Sequence, residues 1–286
     1  MQIGIIGCGN MGGGMANTLT KKGKKLLCFD SSLVTLEKMK QIGCKVTNSP
    51  SDLVQNCDLV ILSLPKAKIV RDLMEVISPD IKPGTIILDT STSEPDTTKS
   101  LSETAKKAHY HFIDGPVSGG PVAANSGTMT MLLGGDKNVI KAIQPTLDLI
   151  TLKTVFVGPS GAGHAAKIAN NMLCAANLVL VSEVVKLGNA CGISPEDLLN
   201  GINAGSGRSG VSEVNFPKWV LNEDYNSGFT MGLMRKDVKL GLELTNKYGV
   251  TTPAFDIVAS IWEESNDTLP DNKDFNEIYK MSKKND

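Results

Sequence analysis

Two side chains able to do chemistry stand four residues apart in Gly161-Ala162-Gly163-His164-Ala165-Ala166-Lys167-Ile168-Ala169-Asn170-Asn171. The glycines read as a hinge and the small and apolar residues after them as the start of a helix. On a helix, Lys167 and Asn171 stack on one face. An amine can accept or return a proton, and a carboxamide beside it can hold an oxygen without titrating. Spacing alone fits a solvated helix face equally well. The choice between the two readings rests on the elements that would position the pair.

The first such element is at the N-terminus. Gln2 to Ile6 reads as an apolar strand, Gly7-Cys8-Gly9-Asn10-Met11-Gly12 as a G-x-G-x-x-G loop, and the segment after it as a helix that stops at Lys21-Lys22-Gly23. A second strand, Lys25 to Phe29, ends in Asp30. This is a dinucleotide-binding βαβ unit in its required context. Gly7 permits the tight turn, Gly9 lets the backbone approach a pyrophosphate, and Gly12 lets helix and strand pack closely. Asn10 and Met11 open the helix whose N-terminus faces the phosphates. Asp30 would accept hydrogen bonds from a ribose diol and repel a 2′-phosphate, which favours NAD over NADP; its other reading is a cap for a helix over Ser32 to Ile42.

The alternation continues. Strands are expected at Lys45–Thr47, Asp58–Leu64, Thr85–Leu88, His109–Ile113, Thr128–Leu133 and Thr154–Val157, with helices between them. A parallel, doubly wound Rossmann-type sheet follows. Its ligand-facing ends include Leu64-Pro65 and the hydroxyl-rich Asp89-Thr90-Ser91-Thr92-Ser93-Glu94-Pro95. The latter suits a nicotinamide amide or substrate oxygen, or a helix N-cap. His109 and His111 read as structural residues on one face of a strand. In Asp114-Gly115-Pro116-Val117-Ser118-Gly119-Gly120-Pro121, the Ser118 hydroxyl and bare glycine amides could cradle a carboxylate; a plain turn is the other reading.

After Val157 no strand is evident. A long apolar helix from His164 to Ala190, buried by several neighbours, opens an all-α domain; its most apolar run reads as too short and too polar to span a bilayer. Further helices are expected from Ser194-Pro195-Glu196, over Gly228–Lys247, and around Ala254–Glu264 and Phe275–Met281. Gly205 to Gly210 is a loop carrying Arg208, and the charged tail after Met281 is expected to fray. The division is thus 1–162, dinucleotide-binding, and 163–286, helical, for substrate and dimerisation.

The chain has 286 residues, enough for two domains, and a net charge of −1 without a basic cluster, which argues against nucleic acid or an anionic membrane as partner. Six cysteines without a C-x-x-C pair and three histidines make a metal site improbable and read as reduced core thiols. The N-terminus has no basic region or cleavage site before its first strand, so a cytoplasmic location is expected.

Together these motifs resemble the β-hydroxyacid dehydrogenases, the group including 3-hydroxyisobutyrate dehydrogenase, tartronate semialdehyde reductase and, more distantly, 6-phosphogluconate dehydrogenase. Gly7–Gly12 matches the cofactor loop, Asp89–Pro95 the D-x-S-T-x-x-P segment, and Asp114–Gly120 the substrate loop. Gly161–Asn171 matches the lysine motif, and Leu233–Leu240 matches the K-D-L stretch with Val238 for leucine. The resemblance covers essentially the whole chain. It implies Lys167 as general acid/base with Asn171 beside it, and Ser118, Gly119 and Gly120 on the substrate carboxylate. It places Thr92 at the nicotinamide and substrate, Lys236 at the cofactor, and Asp237 behind the active site. Arg208 would bind or cover substrate. Asn266–Pro270 departs from a glycine-rich turn usual in the family, and the long helical domain of 6-phosphogluconate dehydrogenase is lacking.

The expected reaction is hydride transfer between a short 3-hydroxy acid and NAD, giving a semialdehyde, in a homodimer or homotetramer. Lys167 would move the hydroxyl proton, its charge disfavoured by burial beneath the nicotinamide. The nearest alternatives are reduction of another small carbonyl (tartronate semialdehyde, glyoxylate or succinic semialdehyde) or of a sulfonate analogue. An imine reductase and a non-catalytic NAD-binding protein are the rival classes; both tend to lose the lysine kept here.

Overall fold

Buried hydrophobic runs set the centre of the first unit. Strands β1 (Ile3–Ile6), β4 (Leu59–Leu62) and β5 (Ile86–Asp89) are buried along their whole length, as strands covered by helices on both faces must be. The computed structural model describes residues 1–283, so the end of the tail expected to fray lies outside the described residues. The order β3-β2-β1-β4-β5-β6 is parallel throughout, with β2 at Leu26–Phe29, β3 at Lys45–Val46 and β6 at His111–Asp114. It is the doubly wound arrangement, with α1 (Asn10–Lys21), α2 (Leu33–Gln41), α3 (Pro50–Val54), α4 (Ala67–Ile77) and α5 (Pro95–Lys107) as the crossovers.

Beyond β6 the sheet departs from the all-parallel expectation. β7 (Val117–Ser118) and β6 both run antiparallel to β8 (Met129–Gly134), and β9 (Thr151–Gly158) pairs with β8 in parallel. Between β7 and β8 lies a helix, α6 (Gly120–Ser126), where the sequence suggests only a turn. Gly119 and Gly120 open it at φ values of 117° and 65°, a region that glycine enters without steric cost. The strand expected from His109 begins at His111; His109 sits in a turn at φ 61°, so the two histidines do not share a strand face. α7 (Lys137–Ile150) bridges β8 and β9.

The chain divides into two compact units, Met1–Lys167 and Ile168 onward, and the division falls inside α8 (Ala162–Ala190). The second unit adds α9 (Pro195–Ala204), a wider-wound π-helix at Val211–Val220, α10 (Met231–Lys247), α11 (Pro253–Glu264) and a closing 3₁₀ helix from Phe275. Its core gathers Leu178, Val185, Phe216 and Trp262. The Trp262 indole donates to the Ala175 carbonyl at 3.2 Å. The divergent Asn266–Pro270 segment is held by Arg235, which donates to the Leu269 carbonyl at 2.7 Å and pairs with Asp271 at 2.7 Å.

Two expectations need correction here. α8 is not covered all round: Leu173, Leu180, Val184 and Leu187 form an exposed apolar stripe, Leu173 and Leu187 about two-thirds exposed at 66% and 64%. Among the described residues α8 is also the helix whose length and composition would suffice to cross a membrane, which the reading of its apolar run as too short and too polar does not foresee. The thiols are not all core residues. Cys8, Cys28, Cys44 and Cys57 are buried, Cys174 is half-buried and Cys191 is exposed. Burial, with Asp58 nearby, pushes the Cys57 thiol up to about 12, which makes it chemically inert.

Candidate active site

The parallel register sets Asp89 beside Asp114 at the carboxyl ends of β5 and β6, the edge where this class of sheet binds ligands. Both are almost fully buried, and their acceptors are spent locally. Asp114 Oδ1 accepts from Gly161 N at 2.9 Å and Oδ2 from His164 N at 3.1 Å. It therefore satisfies orphan amides at the start of α8 and complements the positive end of that helix. Gly163 is required there, because an added Cβ would lie 2.4 Å from the Leu132 carbonyl oxygen. One turn further along α8, Lys167 reaches back to the same loop: its Nζ donates to Ser118 Oγ at 2.9 Å. The lysine is only 8% exposed, so the solvated-face reading does not hold. Gly119 and Gly120 follow Ser118 directly, and their left-handed conformations turn the chain beside the hydroxyl.

The glycine loop has the form a dinucleotide needs. Gly7 adopts φ 87°, and a Cβ on Gly12 would lie 1.9 Å from the Gly7 carbonyl oxygen. Gly9 and Asn10 are exposed at the mouth of α1, whose first turn has neither a side-chain cap nor an acidic residue, and Met11 packs behind them. These open amides suit a pyrophosphate. Asp30 is not the cap of α2; that role belongs to Ser32. Instead Asp30 accepts from Cys8 N at 2.7 Å and Ser32 N at 2.8 Å. Each carboxylate oxygen keeps a lone pair for a ribose hydroxyl. Leu64 N donates to Ser91 Oγ at 3.0 Å, tying the loop after β4 to the loop after β5. Pro65 is exposed and Thr92 half-buried on these two loops.

In the second unit, Asn171 Nδ2 donates to Asp237 Oδ2 at 2.5 Å, and Asn171 Oδ1 accepts from Asn170 Nδ2 at 3.1 Å. Asp237 is 1% exposed, and its other oxygen lies 3.0 Å from Lys236 Nζ. Asn171, Asp237 and Lys236 thus form one group, with the amide of Asn171 oriented by the carboxylate. Arg208 is not drawn into it. It is exposed, with only Glu213 at 3.8 Å. Among the described residues no cluster of His, Cys, Asp and Glu could hold a metal ion. Sequence pattern gives no role to His164 or to the Asp114 carboxylate, and it places Ser91 in a hydroxyl-rich segment without showing its bond to Leu64 N. For Asp114 a signal existed, an acid at a strand end placed to meet a glycine-flanked helix start.

A family model described as the NAD binding domain of 6-phosphogluconate dehydrogenase matches residues 2–158. A second, described as NAD-binding of NADP-dependent 3-hydroxyisobutyrate dehydrogenase, matches residues 161–282. 2-(Hydroxymethyl)glutarate dehydrogenase of Eubacterium barkeri is 34% identical, over 92% of this chain and 88% of its own length. The mitochondrial 3-hydroxyisobutyrate dehydrogenase of Drosophila melanogaster is 34% identical, over 99% of this chain and 90% of its own. The structure of Mycobacterium tuberculosis 3-hydroxyisobutyrate dehydrogenase with L-serine superimposes with a TM-score of 0.92 at 27% identity, covering 98% of this chain and 99% of that one. The glycine loop, the Lys167 motif and the helical second unit define an NAD(P)-binding oxidoreductase. The chain belongs to the 3-hydroxyisobutyrate dehydrogenase, or β-hydroxyacid dehydrogenase, family and is an NAD(P)-dependent dehydrogenase of small hydroxy acids.

Proposed function

We propose that the protein uses NAD to interconvert a short 3-hydroxy acid and its semialdehyde, with Lys167 as general acid/base. The observation that carries this reading is the contact of the enclosed Lys167 amine with Ser118 Oγ at 2.9 Å, beside two glycines with free conformations. Ser118, Gly119 and Gly120 hold the substrate carboxylate. The Lys167 amine takes the hydroxyl proton during oxidation and returns it during reduction. The family resemblance assigns Asn171, whose amide is oriented by Asp237, to the substrate oxygen, a role a carboxamide fills without titrating. Thr92, Leu64 and Pro65 border the nicotinamide, and the family resemblance assigns Lys236 to the cofactor. When bound, the cofactor supplies the hydride chemistry. Oxidation needs the unprotonated amine, so turnover in that direction rises with pH. The test is NAD reduction with the carbonyl product trapped as a hydrazone. An aldehyde product supports the reading; turnover that yields only ketones contradicts it.

The choice of NAD rests on Asp30. Asp30→Ala removes a charged acceptor worth about 1.5–3 kcal/mol, so KM for NAD is expected to rise at least ~10-fold and the NAD-to-NADP preference to narrow. An unchanged preference in steady-state assays would remove Asp30 from the ribose site. The substrate class is bounded by the relatives' chemistry, and a serine-like or glutarate-like 3-hydroxy acid fits the same carboxylate cradle.

The exposed stripe Leu173, Leu180, Val184 and Leu187 favours a homodimer or homotetramer. Light scattering is expected to give a mass of two or four chains. A single-chain mass would leave the stripe without an occupant of its own kind.

A further inference from the structure

His164 is fully enclosed in the first turn of α8 and uses both ring nitrogens. Nε2 lies 2.9 Å from the Ser91 carbonyl oxygen, which can only accept, so Nε2 carries a proton. Nδ1 lies 2.7 Å from the hydroxyl of Thr98 on α5, its hydrogen-bond partner. The backbone N–H of the same residue is bound by Asp114. Asp89 Oδ2 stands 3.9 Å from Nε2, while Asp89 accepts from Ser91 N at 3.0 Å and Ser93 Oγ at 3.3 Å. The Ser91 hydroxyl in turn accepts from Leu64 N. One imidazole therefore joins three elements directly: the loop after β5 that carries Thr92, helix α5 through Thr98, and the helix that carries Lys167 three residues on; the loop after β4 is tied in through Ser91.

We infer that His164 is a positioning residue that fixes the distance between the nicotinamide-facing loops and the Lys167 amine. The inference rests on the dehydrogenase reading above. The ring touches no group assigned to substrate or cofactor, so its effect passes through the Ser91–Thr92 backbone and the first turn of α8. Proton and hydride transfer both need their partners within a few tenths of an ångström of the productive geometry, and a small misplacement is costly.

The experiment compares wild type with His164→Gln, His164→Leu and Thr98→Val, reading Tm, kcat, both KM values and the deuterium isotope effect with substrate labelled at the alcohol carbon. His164→Gln keeps a side-chain N–H for the Ser91 carbonyl and is expected to stay within about threefold of wild-type kcat. His164→Leu is expected to lose roughly 30-fold in kcat, with KM for NAD within about threefold and a larger isotope effect. Thr98→Val removes the hydrogen-bond partner of Nδ1 while leaving the ring in place. It is expected to lower kcat about three- to tenfold, which keeps the inference testable should His164→Leu fail to fold. Active leucine and valine variants with wild-type kcat and isotope effect, changed only in Tm, would overturn the positioning role and leave the dehydrogenase reading standing. A wild-type protein inert toward every hydroxy acid would remove both, because no transfer would then exist to position.

Discussion

Lys167→Ala is expected to lower kcat by at least ~100-fold, the usual range for a general acid–base group, while NAD affinity stays within about threefold. The amine donates to Ser118 Oγ at 2.9 Å. Alanine leaves the helix intact, since it is the best helix former. The cofactor loop at Gly7–Gly12 belongs to β1 and α1, and its amides do not depend on the lysine. Lys167→Arg separates charge from proton transfer. It keeps a cation near Ser118 but cannot give up its proton, so it is expected to be as inactive as alanine. Steady-state kinetics with NAD titration checks both variants. Turnover within threefold of wild type in either would take the proton-transfer role away from Lys167.

Asp114→Asn is expected to lower both stability and activity although it is nearly isosteric. The carboxylate accepts from two different amides, Gly161 N and His164 N. A carboxamide has one oxygen, so its Nδ2 would face an N–H donor in a site with 0% exposure. Leaving such a donor unpaired costs about 1–3 kcal/mol, and a loss of about 2 kcal/mol corresponds to a Tm lower by roughly 4–8 °C in a domain of this size. Because the loosened amides open the turn that leads to Lys167, kcat is expected to fall at least ~10-fold, an effect of misplaced geometry. Thermal unfolding and kinetics on the same preparation check the pair. An unchanged Tm would mean the amides find another acceptor, and an unchanged kcat would mean that Lys167 is positioned without them.

Much of this was legible in local sequence pattern. Short continuous apolar runs bounded by turn residues placed β1, β2, β4 and β5 to within a few residues, because strands buried on both faces leave strong local signals. The glycine loop was readable since its φ requirement and close contacts admit little but glycine. The antiparallel turn of the sheet at β8 was not, because register between β6, β7 and β8 is a long-range property. α6 was hidden because Gly119-Gly120-Pro121 carries the composition of a turn, and only the positive φ values show it opening a helix. The apolarity of α8 pointed to burial by several neighbours, yet hydrophobicity states a need for cover and does not say which chain provides it. Arg208 was carried by resemblance, and its exposed side chain shows no tie to the oriented group at Asn171. His164 could not be found by spacing, for its ring partners lie 66 and 73 residues away. Asp237 lies 66 residues from Asn171 in sequence, beyond the reach of any local pattern, and is its direct partner at 2.5 Å.

The central claim is that Lys167 moves the proton in an NAD-linked oxidation of a short 3-hydroxy acid. Its most direct test is NADH formation at alkaline pH across a panel of such acids, run with wild type and Lys167→Ala, with NADP in parallel and NAD binding measured separately. The account predicts one acid well above the rest with NAD, and that signal lost in the variant while NAD still binds. No turnover of any acid by a wild-type protein that binds NAD, or equal turnover by both proteins, would contradict it.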